Sequence, residues 1–193
     1  MKKLINVIFC LIAVYGTAQV TYGLKAGVNV SKIDEVHTGS EKRVGAYFGG
    51  FATIPINNEG NQFYIQPEVL YSMMGEKEEF TDGRTTDVNI DYLSIPVLFK
   101  AYFSEQDTEF FGEIGPQLGF LISKDLPETD AVYDYKSTDF GAVVGIGFSY
   151  LRNWEANARF YYGFTDIIEW ENTKGKDPHN INSNVSLGIA YRF

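Results

Sequence analysis

The last ten residues, Asn184 to Phe193, constrain what this chain can fold into more than any other stretch. Val185, Leu187, Ile189, Tyr191 and Phe193 fall on one face of an extended strand, and Ser186, Gly188, Ala190 and Arg192 on the other. Strict alternation running to a terminal aromatic carboxylate departs from the polar, fraying ends of most soluble domains. The bulky face asks for an apolar medium and the opposite face for a polar or crowded one. A strand with lipid on one side and a polar lumen on the other meets both demands. The closing strand of a soluble sandwich is the alternative at this point.

The same period recurs along the chain. It predicts strands over Val20–Ser31, Val44–Ile54, Gln62–Met74, Asp87–Phe103, Glu109–Ile122, Thr138–Tyr150 and Trp154–Asp166, with the opening stretch as the eighth. In the second, Gly45, Gly49 and Gly50 let backbones approach, and its facing is ambiguous from sequence. Eight is an even number, and several strands reach the roughly 9–11 residues that cross a bilayer at a tilt. The polar connections alternate in length. Lys32–Arg43, Gly75–Thr86, Ser123–Ser137 and Ile167–Ser183 are long, whereas Pro55–Asn61, Ser104–Thr108 and Leu151–Asn153 are shorter. A meander with long loops at one end and turns at the other is the pattern of a transmembrane barrel, and a sandwich has no reason to segregate lengths this way. The expected fold is all-β, an eight-stranded antiparallel up-and-down transmembrane β-barrel.

Composition narrows the classes further. Aromatics are 16% of the 193 residues, with 13 Tyr and 15 Phe, types that favour strands and interfacial girdles. Beyond the N-terminus no run approaches the roughly 18 apolar residues of a membrane helix. Residues 1–18 read as a secretory signal: Lys2 and Lys3, an apolar run from Leu4 to Tyr15, then small Gly16 and Ala18 before the cleavage point. A retained anchor is the weaker alternative, since the run is short. The barrel domain is then 19–193. Cys10 is the only cysteine; Phe9 before it makes a poor lipidation site, and its loss with the signal excludes disulfides and thiolate metal sites. The formal net charge of −9, two units more negative without Lys2 and Lys3, argues against a nucleic-acid partner.

Six segments in order carry a resemblance. They are Y-G-L-K-A-G-V-N from Tyr22, F-Y-I-Q-P-E-V-L-Y-S from Phe63, N-I-D-Y-L-S-I-P-V-L-F-K from Asn89, F-G-E-I-G-P-Q-L-G-F from Phe111, F-G-A-V-V-G-I-G-F from Phe140, and S-L-G-I-A-Y-R-F from Ser186. Together they resemble the PorT-type outer-membrane β-barrel family, common in the Bacteroidetes, over nearly the whole mature chain. The resemblance implies a Gram-negative outer membrane and a barrel fold. It implies little about activity, although some relatives serve secretion or gliding machinery.

On the barrel reading, one face of each strand lines the lumen. That face collects Lys25, Glu68, Lys100, Glu113, Glu155, Arg159 and Arg192, with Asn29, Gln66, Gln117 and Asn157 among them. Charges of both signs can pair, and an eight-stranded barrel is only just wide enough for its own side chains. The expectation is a structural charge network that plugs the lumen, with Arg192 a partner for Glu155 or Glu113. A gated conduit or proton path is the functional alternative, because ionisable groups at membrane depth are functional candidates. A soluble lipocalin-like ligand carrier would need an apolar lumen.

Catalytic residues are not expected. His37 and His179 are the only histidines, both in loops; Ser40 could be imagined beside either, but no spacing supports a triad, and no G-x-S-x-G, P-loop or H-E-x-x-H motif occurs. No cofactor is expected either. The loops carry Asp34, Glu35, Glu41, Glu76, Glu78, Glu79, Asp82, Asp87, Asp125, Glu128, Asp130 and Asp134 without a D-x-D-x-D-G spacing, so a solvated acidic rim is favoured over a Ca²⁺ or Mg²⁺ site. Divalent bridging to lipopolysaccharide phosphates stays open. Phe80, Tyr133, Tyr135 and Trp170 at the loop bases suit a partner or the girdle. Tyr191 and terminal Phe193 resemble the signal read by the barrel-assembly machinery. The expected partners are thus outer-membrane lipid, lipopolysaccharide, that machinery and an envelope protein, with termini in the periplasm and no further domain after the last strand. The expected role is structural or partner-docking, with a narrow porin-like or secretion-associated transport component as the alternative.

Overall fold

The computed structural model describes residues 20–33, 40–56, 62–79, 85–125, 134–165, 168–169 and 181–193. The strands are β1 (Thr21–Ile33), β2 (Ser40–Pro55), β3 (Phe63–Glu79), β4 (Thr85–Tyr102), β5 (Glu109–Asp125), β6 (Asp134–Tyr135), β7 (Thr138–Tyr150), β8 (Trp154–Gly163), β9 (Ile168–Glu169) and β10 (Asn182–Arg192). Eight of them close a barrel in the order β1-β10-β8-β7-β5-β4-β3-β2, every neighbour antiparallel. The closing stretch pairs with the first strand from Gly23↔Arg192 to Ile33↔Asn182, which leaves neither strand with a free edge.

Two features depart from the sequence reading. Several strands outrun their expected bounds at the end away from the termini: β2 starts at Ser40, β3 reaches Glu79, β4 starts at Thr85 and β5 reaches Asp125. There G-E-K-E-E is polar at nearly every position, so alternation vanishes from the sequence, while the backbone ladder continues from Gly75↔Asn89 to Glu79↔Thr85. In the opposite sense, β8 stops at Gly163, short of Asp166. The other departure is a separate two-stranded ribbon, β6 with β9, inside stretches read as loops. Two residues are too few for a period to register.

The outer face is apolar. Leu24, Ile114, Val144, Leu187 and Ile189 are each more than half exposed, and the strand-two ambiguity resolves with Val44, Ala46 and Phe48 outward. So extensive an apolar surface cannot be left to water and marks the lipid-facing side. Aromatic contacts band both ends. Phe63–Phe99, Phe110–Phe148, Trp154–Tyr191 and Tyr191–Phe193 gather near the termini, and Phe140–Phe164 and Tyr162–Phe164 at the far end.

Inside, small residues make room for large ones. A Cβ at Gly188 would overlap the Tyr47 hydroxyl, and one at Gly147 the Phe111 ring. The two aromatic rings therefore occupy space that only glycine leaves free. Near the termini the lumen holds an aromatic cluster of Tyr64, Tyr102 and Phe111, joined edge-to-face.

Candidate functional site: the lumen charge network

Alternation delivers each charged side chain to the interior, and barrel stagger decides which ones meet. Lys25 on β1, Glu68 on β3, Lys100 on β4, Glu113 on β5, and Glu155 and Arg159 on β8 all point inward and are almost wholly buried. Their side chains are between 0% and 6% exposed. Three cations face three carboxylates, so the cluster is neutral.

Arg159 is its centre. It grips Glu68 through Nη1 and Nη2 (2.6 and 2.8 Å) and Glu113 through Nε and Nη2 (2.5 and 2.9 Å). The planar guanidinium fits two carboxylates at once, a geometry a point-charge ammonium cannot supply. Lys25 Nζ donates to Glu68 at 2.9 Å, and Gln66 donates to the same carboxylate at 2.6 Å. Lys100 Nζ bridges outward to Glu155 (2.5 Å) and Gln66 (3.1 Å), with the Phe111 ring centroid 4.0 Å away. Tyr102 donates its hydroxyl proton to the other Glu155 oxygen at 2.7 Å. Gln66 thus links the two ion clusters into one network. Desolvating six charges is costly, and the multiple hydrogen bonds on each are what make their burial tolerable.

Arg192 behaves differently from the expectation. It pairs with neither Glu155 nor Glu113 but donates through Nε to the Arg152 backbone oxygen at 2.6 Å. The cause is the β7–β8 turn, where Leu151 and Arg152 have φ of 52° and 57° and Asn153 N closes on Tyr150 O at 3.3 Å. Two successive left-handed residues reverse the chain within a three-residue connection between paired Tyr150 and Trp154. This turn carries Arg152 across the barrel mouth, its guanidinium 3.8 Å from the Tyr102 ring centroid, bonded to the Gln106 carbonyl and paired with Glu109. Arg192 anchors that turn.

Three charged lumen contributors escaped the sequence reading. Glu109 shares the parity of Glu113 and was legible on that ground, whereas Arg152 lies in a turn, where parity fails. Asp139, at the far end, is buried and accepts hydrogen bonds from Thr165 (2.9 Å) and Asn182 (3.2 Å). It is the second residue of its strand, where alternation has barely begun. The remaining polar candidates Asn29, Gln117 and Asn157 are buried in the lumen. Among the described residues no group of three or more His, Cys, Asp and Glu side chains is placed to hold a metal ion. His37, His179, Asp34, Glu35, Asp82, Glu128, Asp130, Phe80, Tyr133 and Trp170 lie outside what the structure describes, as do residues 1–18, and of Ser40, Tyr135 and the other acidic loop residues only the backbone is described.

The folded chain is similar to two outer-membrane proteins of known structure. Pseudomonas aeruginosa OprG matches with a TM-score of 0.56 at 13% identity, covering 92% of this chain and 98% of that one. Neisserial surface protein A matches with a TM-score of 0.54 at 14% identity, covering 89% and 97%. At such identities the likeness establishes the fold alone. No curated protein matches the sequence. The family described as "Outer membrane protein beta-barrel domain" matches residues 17–169. With a closed eight-stranded barrel, an apolar outer face and a charged interior, the chain belongs to this family of outer-membrane β-barrel domains of Gram-negative bacteria.

Proposed function

We propose that the protein is a closed outer-membrane barrel with a structural or partner-docking role, its lumen plugged by its own side chains. One observation carries this reading: Lys25, Glu68, Lys100, Glu113, Glu155 and Arg159 bond to one another across the interior with side-chain exposures of 6% or less. A path for solutes would have to break several of these charge-assisted bonds at once. Purified protein in planar bilayers is expected to give no stable unitary conductance; reproducible single-channel steps contradict the plug and favour the narrow transport component.

The same reading places both termini in the periplasm, the far-end loops at the cell surface against lipopolysaccharide, and residues 1–18 in a cleaved signal. It assigns the chain to the PorT-type group of the Bacteroidetes on the six segments quoted above, and the docking role to an envelope protein that meets the far-end loops. The charged interior supports a membrane barrel over a soluble ligand carrier. Unboiled protein in detergent gels is expected to migrate faster than boiled protein, and identical mobilities count against a membrane barrel. Crosslinking in intact cells followed by mass spectrometry identifies the partner, and recovery of lipid adducts alone rejects the docking role.

A further inference from the structure

Lumen charges are matched until the mouth where the termini lie. Lys25, Lys100 and Arg159 are balanced by Glu68, Glu113 and Glu155, and Arg152 by Glu109. Arg192 is the cation left over at this end. It is 7% exposed, and it forms no ion pair among the described residues, its own neighbouring terminal carboxylate included. Its guanidinium reaches a neutral acceptor instead: the Arg152 carbonyl takes both Nε, at 2.6 Å, and Nη2. Nη1 donates to no described residue and is not among the polar atoms sealed in the interior.

A carbonyl dipole orients a guanidinium without neutralising it, and a cation nine-tenths buried with no counter-charge is costly. Nor is Arg192 loose enough to swing toward Glu155. Its backbone N–H donates to Asn153 O at 2.8 Å, Asn153 Nδ2 donates to its carbonyl at 2.9 Å, and the Arg152 carbonyl holds the fork. On β2 at the same end, Thr53 is 1% exposed and its hydroxyl has no partner, a second donor without an acceptor. We propose that this mouth is a binding site for a small soluble oxyanion of the phosphate class, held by the Arg192 guanidinium through Nη1. The ligand is soluble because Arg192 faces the lumen, whereas its neighbours Tyr191 and Phe193 are on the lipid-facing side. A chain of formal net charge −9 thus keeps one locally positive opening. The site lies on the terminal side of the charge network and does not depend on the lumen being closed.

Purified protein in a non-ionic detergent is titrated with inorganic phosphate at constant ionic strength. Saturable broadening of the phosphorus resonance is expected, together with a rising urea midpoint, since a ligand of the folded state stabilises it. Sulfate should compete, and chloride at the same ionic strength should not. Arg192→Gln should bind phosphate at least about tenfold more weakly, the loss of a charge-assisted hydrogen bond, and Arg192→Lys should keep part of the affinity. No saturable binding to the parent protein, or an equal response to chloride, overturns the site whether or not the variants fold. Undiminished binding to Arg192→Gln overturns the assignment to Arg192. In phosphatidylglycerol nanodiscs the phosphate response should persist; its suppression there places a lipid headgroup in the site and overturns the soluble ligand.

Discussion

Arg159 on β8 and Glu68 on β3 meet across the barrel through two parallel contacts, Nη1 to Oε2 at 2.6 Å and Nη2 to Oε1 at 2.8 Å. The same guanidinium holds Glu113. Removing it strands two carboxylates in an interior that cannot solvate them. Arg159→Met is therefore expected to lose about 3–5 kcal/mol, read as a lowered urea midpoint for unfolding from detergent micelles. Arg159→Lys should recover part of the loss, because an ammonium restores the charge without the fork. An Arg159→Met protein as stable as the parent would show that the network contributes nothing.

The β7–β8 turn separates backbone strain from side-chain gain. Leu151 has φ 52° and a side chain 55% exposed, so its left-handed backbone has little compensation. Asn tolerates that region far better. Leu151→Asn is expected to stabilise the barrel by about 0.5–1 kcal/mol. Arg152→Gly relieves the same kind of strain but forfeits the Glu109 pair, the Gln106 carbonyl bond and the Tyr102 stack. It should destabilise, and paired urea titrations check the opposite signs.

Gly188 and Tyr47 form a size-matched pair across the lumen. Gly188→Ala pushes a methyl into the Tyr47 hydroxyl and is expected to cost about 1–3 kcal/mol. Tyr47→Phe removes the offending oxygen, so the double variant should regain part of that stability. A double-mutant cycle with zero coupling would contradict the packing described for this pair.

At the C-terminus, Phe193 donates its backbone N–H to Tyr22 O at 2.9 Å and sets its ring edge-on to Tyr191 with centroids 5.5 Å apart. Its side chain is 68% exposed, so deletion removes little packing. On the proposal that Tyr191 and Phe193 form an assembly signal, a chain lacking Phe193 should refold normally in detergent yet accumulate poorly in the outer membrane. Wild-type abundance in membrane fractions would reject the signal.

Alternation made the fold legible, since it needs only a period of two to assign each residue a face. Lys25, Glu68, Lys100, Glu113, Glu155 and Arg159 were therefore placeable inward from sequence. Their partners were not. Glu68 binds Lys25 from 43 residues away and Arg159 from 91, and those meetings depend on how far each strand is staggered against the next. Stagger arises from the accumulated register of the whole ring, including the irregularities between Lys42 and Tyr47 and between Asp91 and Tyr92. No local pattern encodes it. Arg192 illustrates the limit: its inward parity was readable, but its partner is a backbone oxygen presented by the turn that leads into the neighbouring strand β8.

The ladder between β1 and β10 has a kinetic consequence. It joins Gly23 to Arg192, so among the barrel ladders it has the greatest sequence separation and is the last that synthesis makes available. Until it forms, the protein is an open sheet with two unpaired edges and an apolar face, a species prone to pair with its neighbours. High contact order also makes closure slow. The barrel thus depends on being escorted until β10 arrives, and any delay in making that strand exposes the open sheet to aggregation.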